Sequence, residues 1–220
     1  MPLKIDFVSD VSCPWCAIGL NALEQALARV APQIQASLHF QPFELNPQMA
    51  PEGEDIVEHL GRKYRIDAAQ IAANAEAIRQ RGASVGFEFG QGKRSRIYNT
   101  FDAHRLLHWA GAVGADQQRA LKHALFKAYF TDGLSPGDHA VLLQAAAAAG
   151  LDADEAARIL AGDHFAAAVR EAQGFYHQQG ISSVPAIIIN DRHLISGGQP
   201  VELFERALRH IAAEGQDSAA

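Results

Sequence analysis

The chain has 220 residues, with 19 Lys and Arg against 25 Asp and Glu, a formal net charge of −6, 48% hydrophobic residues and 20% charged ones. That balance lets a globular chain fill its core without metal or disulfide staples, and it excludes the basic field that nucleic acid or anionic lipid needs. No apolar run approaches the roughly 18 residues of a membrane span, and the start MPLKIDFVSD holds no apolar stretch fit for an export signal, so the chain reads as cytoplasmic.

Leu3, Ile5 and Phe7 alternate with Lys4 and Asp6, the period of two that marks a strand. Ile18, Leu20, Leu23, Leu27 and Val30 then follow a helical stripe that stops before Pro32. In ASLHFQPFEL, Leu38 and Phe40 share a face, and Pro42 predicts an edge or a bulge. Residues 1–45 therefore spell a βαβ unit. From 46 to 180 the chain turns rich in Ala, Glu, Gln and Arg, which predicts four to six helices. Gly150, Gly162 and Gly180 stand where helices end, while Asp152 with Glu155 and the Ser135–Pro136 pair stand where helices begin. SVPAIIIN suits a buried strand, HLIS follows across a turn at Asn190 and Asp191, and Pro200 opens a last helix. Phe204, Ala207, Leu208 and Ile211 form one face of that helix, and the tail from Gln216 reads as frayed. The expected class is α/β: a β-α-β then β-β-α domain from 1–45 and 181–220, interrupted by a large all-helical insertion at 46–180.

Cys13 and Cys16 are the only two cysteines, separated by Pro14 and Trp15. A metal site, two buried packing residues and a redox pair are the available readings. Zinc wants about four ligands, and no second CxxC or CxxH pattern is present. An inert packing thiol is poorly placed at a helix start, where free N–H groups and the helix dipole favour a thiolate. Pro14 fits the first turn, where its missing N–H costs nothing. Cys16, one turn in, is expected to be less exposed and to act as a resolving sulfur. Trp15 adds no positive charge, so the pair should be less oxidising than one with His there, and its ring can wall a docking surface. Pro185 opens a strand where a trans bond and a missing ladder donor are awkward; a cis Val184–Pro185 bond explains it and turns the Val184 backbone outward for an extended peptide.

Other motifs carry less. His104 and His108 have i, i+4 spacing but lack a third ligand, so they read as a polar helix face. GFEFGQGKRSR fails the spacing of a phosphate loop, leaving Lys93, Arg94 and Arg96 as a solvated loop able to meet acidic partners or glutathione carboxylates.

SCPWC after the first strand, SVPAIII at a later strand and the helical insert between the halves resemble DsbA-like thioredoxin-fold thiol–disulfide oxidoreductases. The stretches DFVSDVSCPWCAIG, PFELNP, NTFDAHRL and ISSVPAIIINDRHLISGGQP resemble the FrnE-type subgroup in particular. The resemblance implies Cys13 as nucleophile, Cys16 as resolving thiol and a cis Pro185. Pro14, Trp15 and Val184 would then line the substrate site, with His104 beside them. No metal or organic cofactor is required, and glutathione is the expected small-molecule redox partner or substrate. The other partner is a disulfide-containing protein or a small thiol; monomer and homodimer both stay open. Two rival readings stand beside this one. Glutathione-dependent isomerases and transferases of the kappa and 2-hydroxychromene-2-carboxylate isomerase type have a similar insert, and a non-catalytic holdase would use the cleft alone.

Overall fold

The computed structural model describes residues 2–217, with side chains described to residue 215. Strand β1 (Leu3–Ser9) lies inside a four-stranded sheet of order β2-β1-β5-β6. It pairs in parallel with β2 (Ala36–Pro42) and antiparallel with β5 (Ala186–Ile189), so that Phe7 faces both Phe40 and Ile187 across the ladder. β6 (His193–Ser196) closes the far edge through a turn in which Asn190 and Asp191 both take positive φ. Such residues suit the twist of a tight hairpin. Pro42 ends the outer strand β2, where its missing N–H interrupts nothing.

Helices α1 (Pro14–Val30) and α9 (Val201–Asp217) pack on each other against one sheet face. Ile5, Phe7, Ile187 and Ile189 meet Ile18, Leu20, Leu23, Phe204 and Leu208 there, all fully buried. Phe204, Leu208 and Ile211 are buried as the periodicity of the last helix requires. That helix includes Gln216 and Asp217, where a frayed tail was expected; the rest of that tail, 218–220, lies outside the described residues.

Between the halves come β3 (Glu54–Asp55), α2 (Ile56–Tyr64), α3 (Ala68–Ser84), β4 (Arg96–Ile97), α4 (Phe101–Val113) and α5 (Ala115–Phe126). A π turn over Lys127–Thr131 continues α5, and α6 (His139–Ala148), α7 (Ala153–Ala161) and α8 (Ala166–Gln178) follow. Seven α-helices thus stand among the described residues, where composition predicted four to six. The extra breaks are brief: Arg65, at φ 57, separates α2 from α3, and Gly114 alone separates α4 from α5. The segment is not wholly helical either, because β3 and β4 pair antiparallel over two residues each. Asp152 caps α7 as read from the sequence, accepting from the Asp154 and Glu155 N–H groups. The start expected at Ser135–Pro136 falls instead at Asp138, which accepts the Ala140 N–H; the Ser135 hydroxyl is used in a preceding turn by the Gly137 N–H. Asx and Ser caps look alike in sequence, and only one of the two meets free helix donors.

Three apolar clusters meet at the loop before α1. The largest holds Cys13 and Cys16 and takes in Phe126, Tyr129 and Phe130 from the end of α5. The second sinks Val11 among Leu106, Leu107, Leu121, Leu125 and Leu142 of the helical segment. The third holds Val8, on the opposite sheet face, with Phe43, Tyr176 and Ala186. A loop anchored on three sides has little freedom to move its sulfurs.

Candidate active site

Cys13 is the N-cap of α1, with φ −91 and ψ 113, and Pro14 takes the first helical position. The Cys13 N–H donates to the Asp10 carbonyl at 3.2 Å, and the Cys13 carbonyl accepts from the Cys16 N–H at 3.1 Å. No side chain caps this helix start, and the partial positive charge of a helix N-terminus favours a thiolate at such a position. Both thiols are free, and Cys13 is 4% exposed while Cys16 is fully buried. The Cys13 thiol donates to the Val184 carbonyl at 3.5 Å, so that carbonyl lies beside the sulfur. The Val184–Pro185 bond is cis.

Close backbone approach brings these pieces together. A Cβ on Gly19 would lie 3.1 Å from Pro185 Cγ and 3.2 Å from Gly198 Cα, and one on Gly198 would lie 2.8 Å from the Trp15 carbonyl. Glycine at both positions lets the loop after β6 and Pro185 rest directly on α1. Trp15 stays 42% exposed at the rim.

The two sulfurs differ in their surroundings. Burial, the hydrogen bond to Cys13 and the Cys13 charge push the Cys16 thiol up, against the Lys122 ammonium and the Asp10 backbone. Cys16 therefore keeps its proton near neutral pH.

Asp10, which sequence reading passed over, organises the loop. Its buried carboxylate accepts the Ser12 N–H at 3.0 Å, the Ser12 hydroxyl at 2.9 Å and the Leu45 N–H at 2.7 Å. Burial alone would raise its pKa, but His104 and the two N–H donors outweigh that and hold it at about 2. His104 Nε2 stands 3.6 Å from Asp10 Oδ1, an ion-pair separation too long for a hydrogen bond, and it has no other partner. His104 is 2% exposed. From α4 its ring stands against Asp10, in the loop that leads to Cys13. The signal for Asp10 was its place three residues before Cys13 in SDVSC, a short polar residue where a strand becomes a turn.

Glu44 and Lys122 complete the polar floor. Glu44 accepts from Gln173 at 3.1 Å through one oxygen, and burial pushes its carboxyl up. Lys122, on α5, is fully buried with no hydrogen-bond partner for Nζ. Lys63, at the end of α2, ties the Leu45 carbonyl at 3.0 Å and Asn46 Oδ1 at 2.8 Å, steadying the same loop that caps Asp10.

His108 does not join His104. It packs 5.5 Å from the Phe165 ring, and burial lowers its pKa. Among the described residues no three His, Cys, Asp or Glu side chains gather as metal donors. Arg94 and Arg96 are not a solvated loop: Arg94 donates to the Tyr129 hydroxyl at 2.9 Å and lies over that ring, while Arg96 donates to the Glu52 and Gly53 carbonyls. Folding gave these donors internal acceptors that a run of basic residues cannot reveal. Among the described residues no helix is long and apolar enough to cross a membrane.

A family model described as the DSBA-like thioredoxin domain matches residues 4–209. The solved structure of a probable DsbA oxidoreductase from Streptomyces coelicolor is 31% identical over 96% of this chain and 91% of its own, with a TM-score of 0.88. A 2-hydroxychromene-2-carboxylate isomerase shares the fold at TM-score 0.73 and 14% identity, covering 99% of this chain and 100% of its own. So does the cytosolic disulfide reductase DsbM from Pseudomonas aeruginosa, solved with GSH, at TM-score 0.64 and 18% identity over 96% and 99% of the two chains. With a sheet, two covering helices and a helical insert matched from end to end, the chain belongs to the DSBA-like thioredoxin-domain family and, with it, to the thiol–disulfide oxidoreductases.

Proposed function

We propose that the chain is a cytoplasmic dithiol–disulfide oxidoreductase in which Cys13 attacks and Cys16 resolves. One observation carries the reading: Cys13, the N-cap of α1, keeps 4% of its surface exposed, while Cys16, one turn further along the same helix, is fully buried. The Cys13 thiolate attacks a substrate disulfide, a Cys13–substrate bond forms, and the first substrate thiolate leaves. Cys16 then gives up its proton and attacks the Cys13 sulfur; the Cys13–Cys16 bond forms and the second substrate thiol departs with a proton. The protein dithiol is oxidised and the substrate disulfide reduced, and the same steps run backwards when the protein is the oxidant.

Val184 offers its carbonyl to a substrate backbone N–H beside the sulfur, and Trp15 supplies an apolar wall. Glutathione is the small-molecule partner in this reading, supported by the shared fold of the reductase solved with GSH. The motifs around the site resemble those of the FrnE-type subgroup, which supports that finer assignment. Mixing a Cys16→Ala variant with glutathione disulfide tests the scheme: a stable glutathione adduct should accumulate on Cys13 and map there by mass. An adduct absent from Cys13 would refute it.

The isomerase neighbour supports one rival, a site in which Cys13 merely activates bound glutathione. That chemistry needs no resolving thiol. Glutathione-dependent isomerisation undiminished in Cys16→Ala would favour it, whereas loss of disulfide turnover in the same variant favours dithiol exchange.

A further inference from the structure

Lys122 is a fully buried lysine whose ammonium makes no hydrogen bond and lies 4.9 Å over the Phe126 ring. Leaving a charge unpaired in a core is costly, and natural cores rarely keep one without use. Phe40, Gln41, Pro42 and Leu107 line a cavity of about 10 Å³ beside it, together with His104 and His108 of α4. Phe126, under the ammonium, packs in the same apolar cluster as Cys13 and Cys16, so the lysine borders the core that holds both sulfurs, and Asp10 lies in the loop before them. Asp10 is already engaged by His104, Ser12 and Leu45. The sulfurs are the negative charges that come and go during the reaction.

We propose that Lys122 is the positioning cation of the resolving step: its buried ammonium stabilises the thiolate that Cys16 becomes as it attacks the mixed disulfide. The inference rests on the dithiol reading above. The step balances without a further reagent. The Cys16–Cys13 bond forms, the Cys13–substrate bond breaks with its electron pair on the substrate sulfur, and the proton lost by Cys16 ends on that departing thiol. Lys122 keeps its own proton and lowers the cost of the intermediate charge. Burial holds Lys122 down to about 8, so it remains mostly charged at neutral pH.

Reduced protein mixed with the aromatic disulfide 5,5′-dithiobis(2-nitrobenzoate) separates the two steps in stopped flow. A first coloured thiolate leaves when Cys13 attacks and a second when Cys16 resolves. Lys122→Met should keep the first phase within about twofold, slow the second about tenfold at pH 7 and move its rise about one pH unit upward. Lys122→Arg should restore the second phase. The thermal midpoint of Lys122→Met at pH 7 should exceed that of the unsubstituted protein, because a costly charge is gone; a lysine kept for packing would give the opposite sign. A second phase unchanged in rate and pH midpoint in Lys122→Met would overturn the proposal. Lys122→Gln is read in the same way should the methionine variant not fold, and failure of both to fold would overturn it too. Absence of the first phase in the unsubstituted protein would sink the dithiol reading itself.

Discussion

Two cations are buried on neighbouring helices, and they are treated in opposite ways. Arg105 on α4 is 4% exposed and fully employed. It donates to Asp102 Oδ1 at 2.7 Å, to the His164 carbonyl at 2.9 Å and to the Ile159 and Gly162 carbonyls at the end of α7. A guanidinium suits this use, since its fixed fork of donors meets several acceptors at once. Lys122 on α5 has no such bonds and lies over Phe126, in the cluster that holds the two thiols. The contrast separates a charge buried to fasten helices from a charge buried to act on chemistry.

The largest effect expected from breaking this comparison belongs to Arg105. Arg105→Leu leaves Asp102 to its His139 partner and strips the Ile159, Gly162 and His164 carbonyls of this donor, and should lower folding stability by about 3–5 kcal/mol in urea unfolding while leaving the Cys13 phase of thiol release intact. Next comes Asp10→Asn, which removes a charged acceptor of three loop donors and should cost about 2 kcal/mol at neutral pH. Its sign with pH is fixed by the depressed carboxyl: the stability is complete above the unfolded value of 3.8 and is lost as pH falls to about 2. Acid unfolding followed by circular dichroism should therefore be shallower between those limits in Asp10→Asn. Lys122→Met sharpens the comparison by reversing the sign, with a gain of about 1–2 kcal/mol. Because the folded lysine is held down to about 8 from 10.5, its penalty is present below 8 and lifts as pH rises toward 10.5. The gain should shrink over that range. The smallest change is Gly198→Ala, whose new methyl would press on the Trp15 carbonyl and should cost about 1 kcal/mol, with a slowed Cys13 phase.

Much of this molecule is readable from local pattern. Alternating Leu3, Ile5 and Phe7, the stripe of α1 and the Asn190–Asp191 turn are short-range signals, and each falls where its period or φ preference places it. The CPWC pair is legible for the same reason, since a strand, a cysteine and a proline in sequence define a helix start. The polar floor under the dithiol is not legible, because Asp10, Glu44, His104 and Lys122 come from four separate stretches and only packing brings them together. His104 illustrates the gap: its spacing to His108 suggested a shared face, yet one ring turns to Asp10 and the other to Phe165. Lys122 sits in LKHALFKAYF as an unremarkable helix residue, and its burial is visible only once α5 lies against α4 and β2. The Arg94 and Arg96 contacts were hidden for the same reason.

The central claim is that the two sulfurs are unequal, with Cys13 the attacking one. Alkylating the reduced protein with iodoacetamide across pH 5 to 9 and mapping the modified residue by mass measures this directly. The account predicts that Cys13 is labelled first, and at pH 6 faster than a model thiol of pKa about 8.5, while Cys16 stays unmodified. Equal labelling of both cysteines, or a Cys13 rate no higher than that of the model thiol, would contradict it.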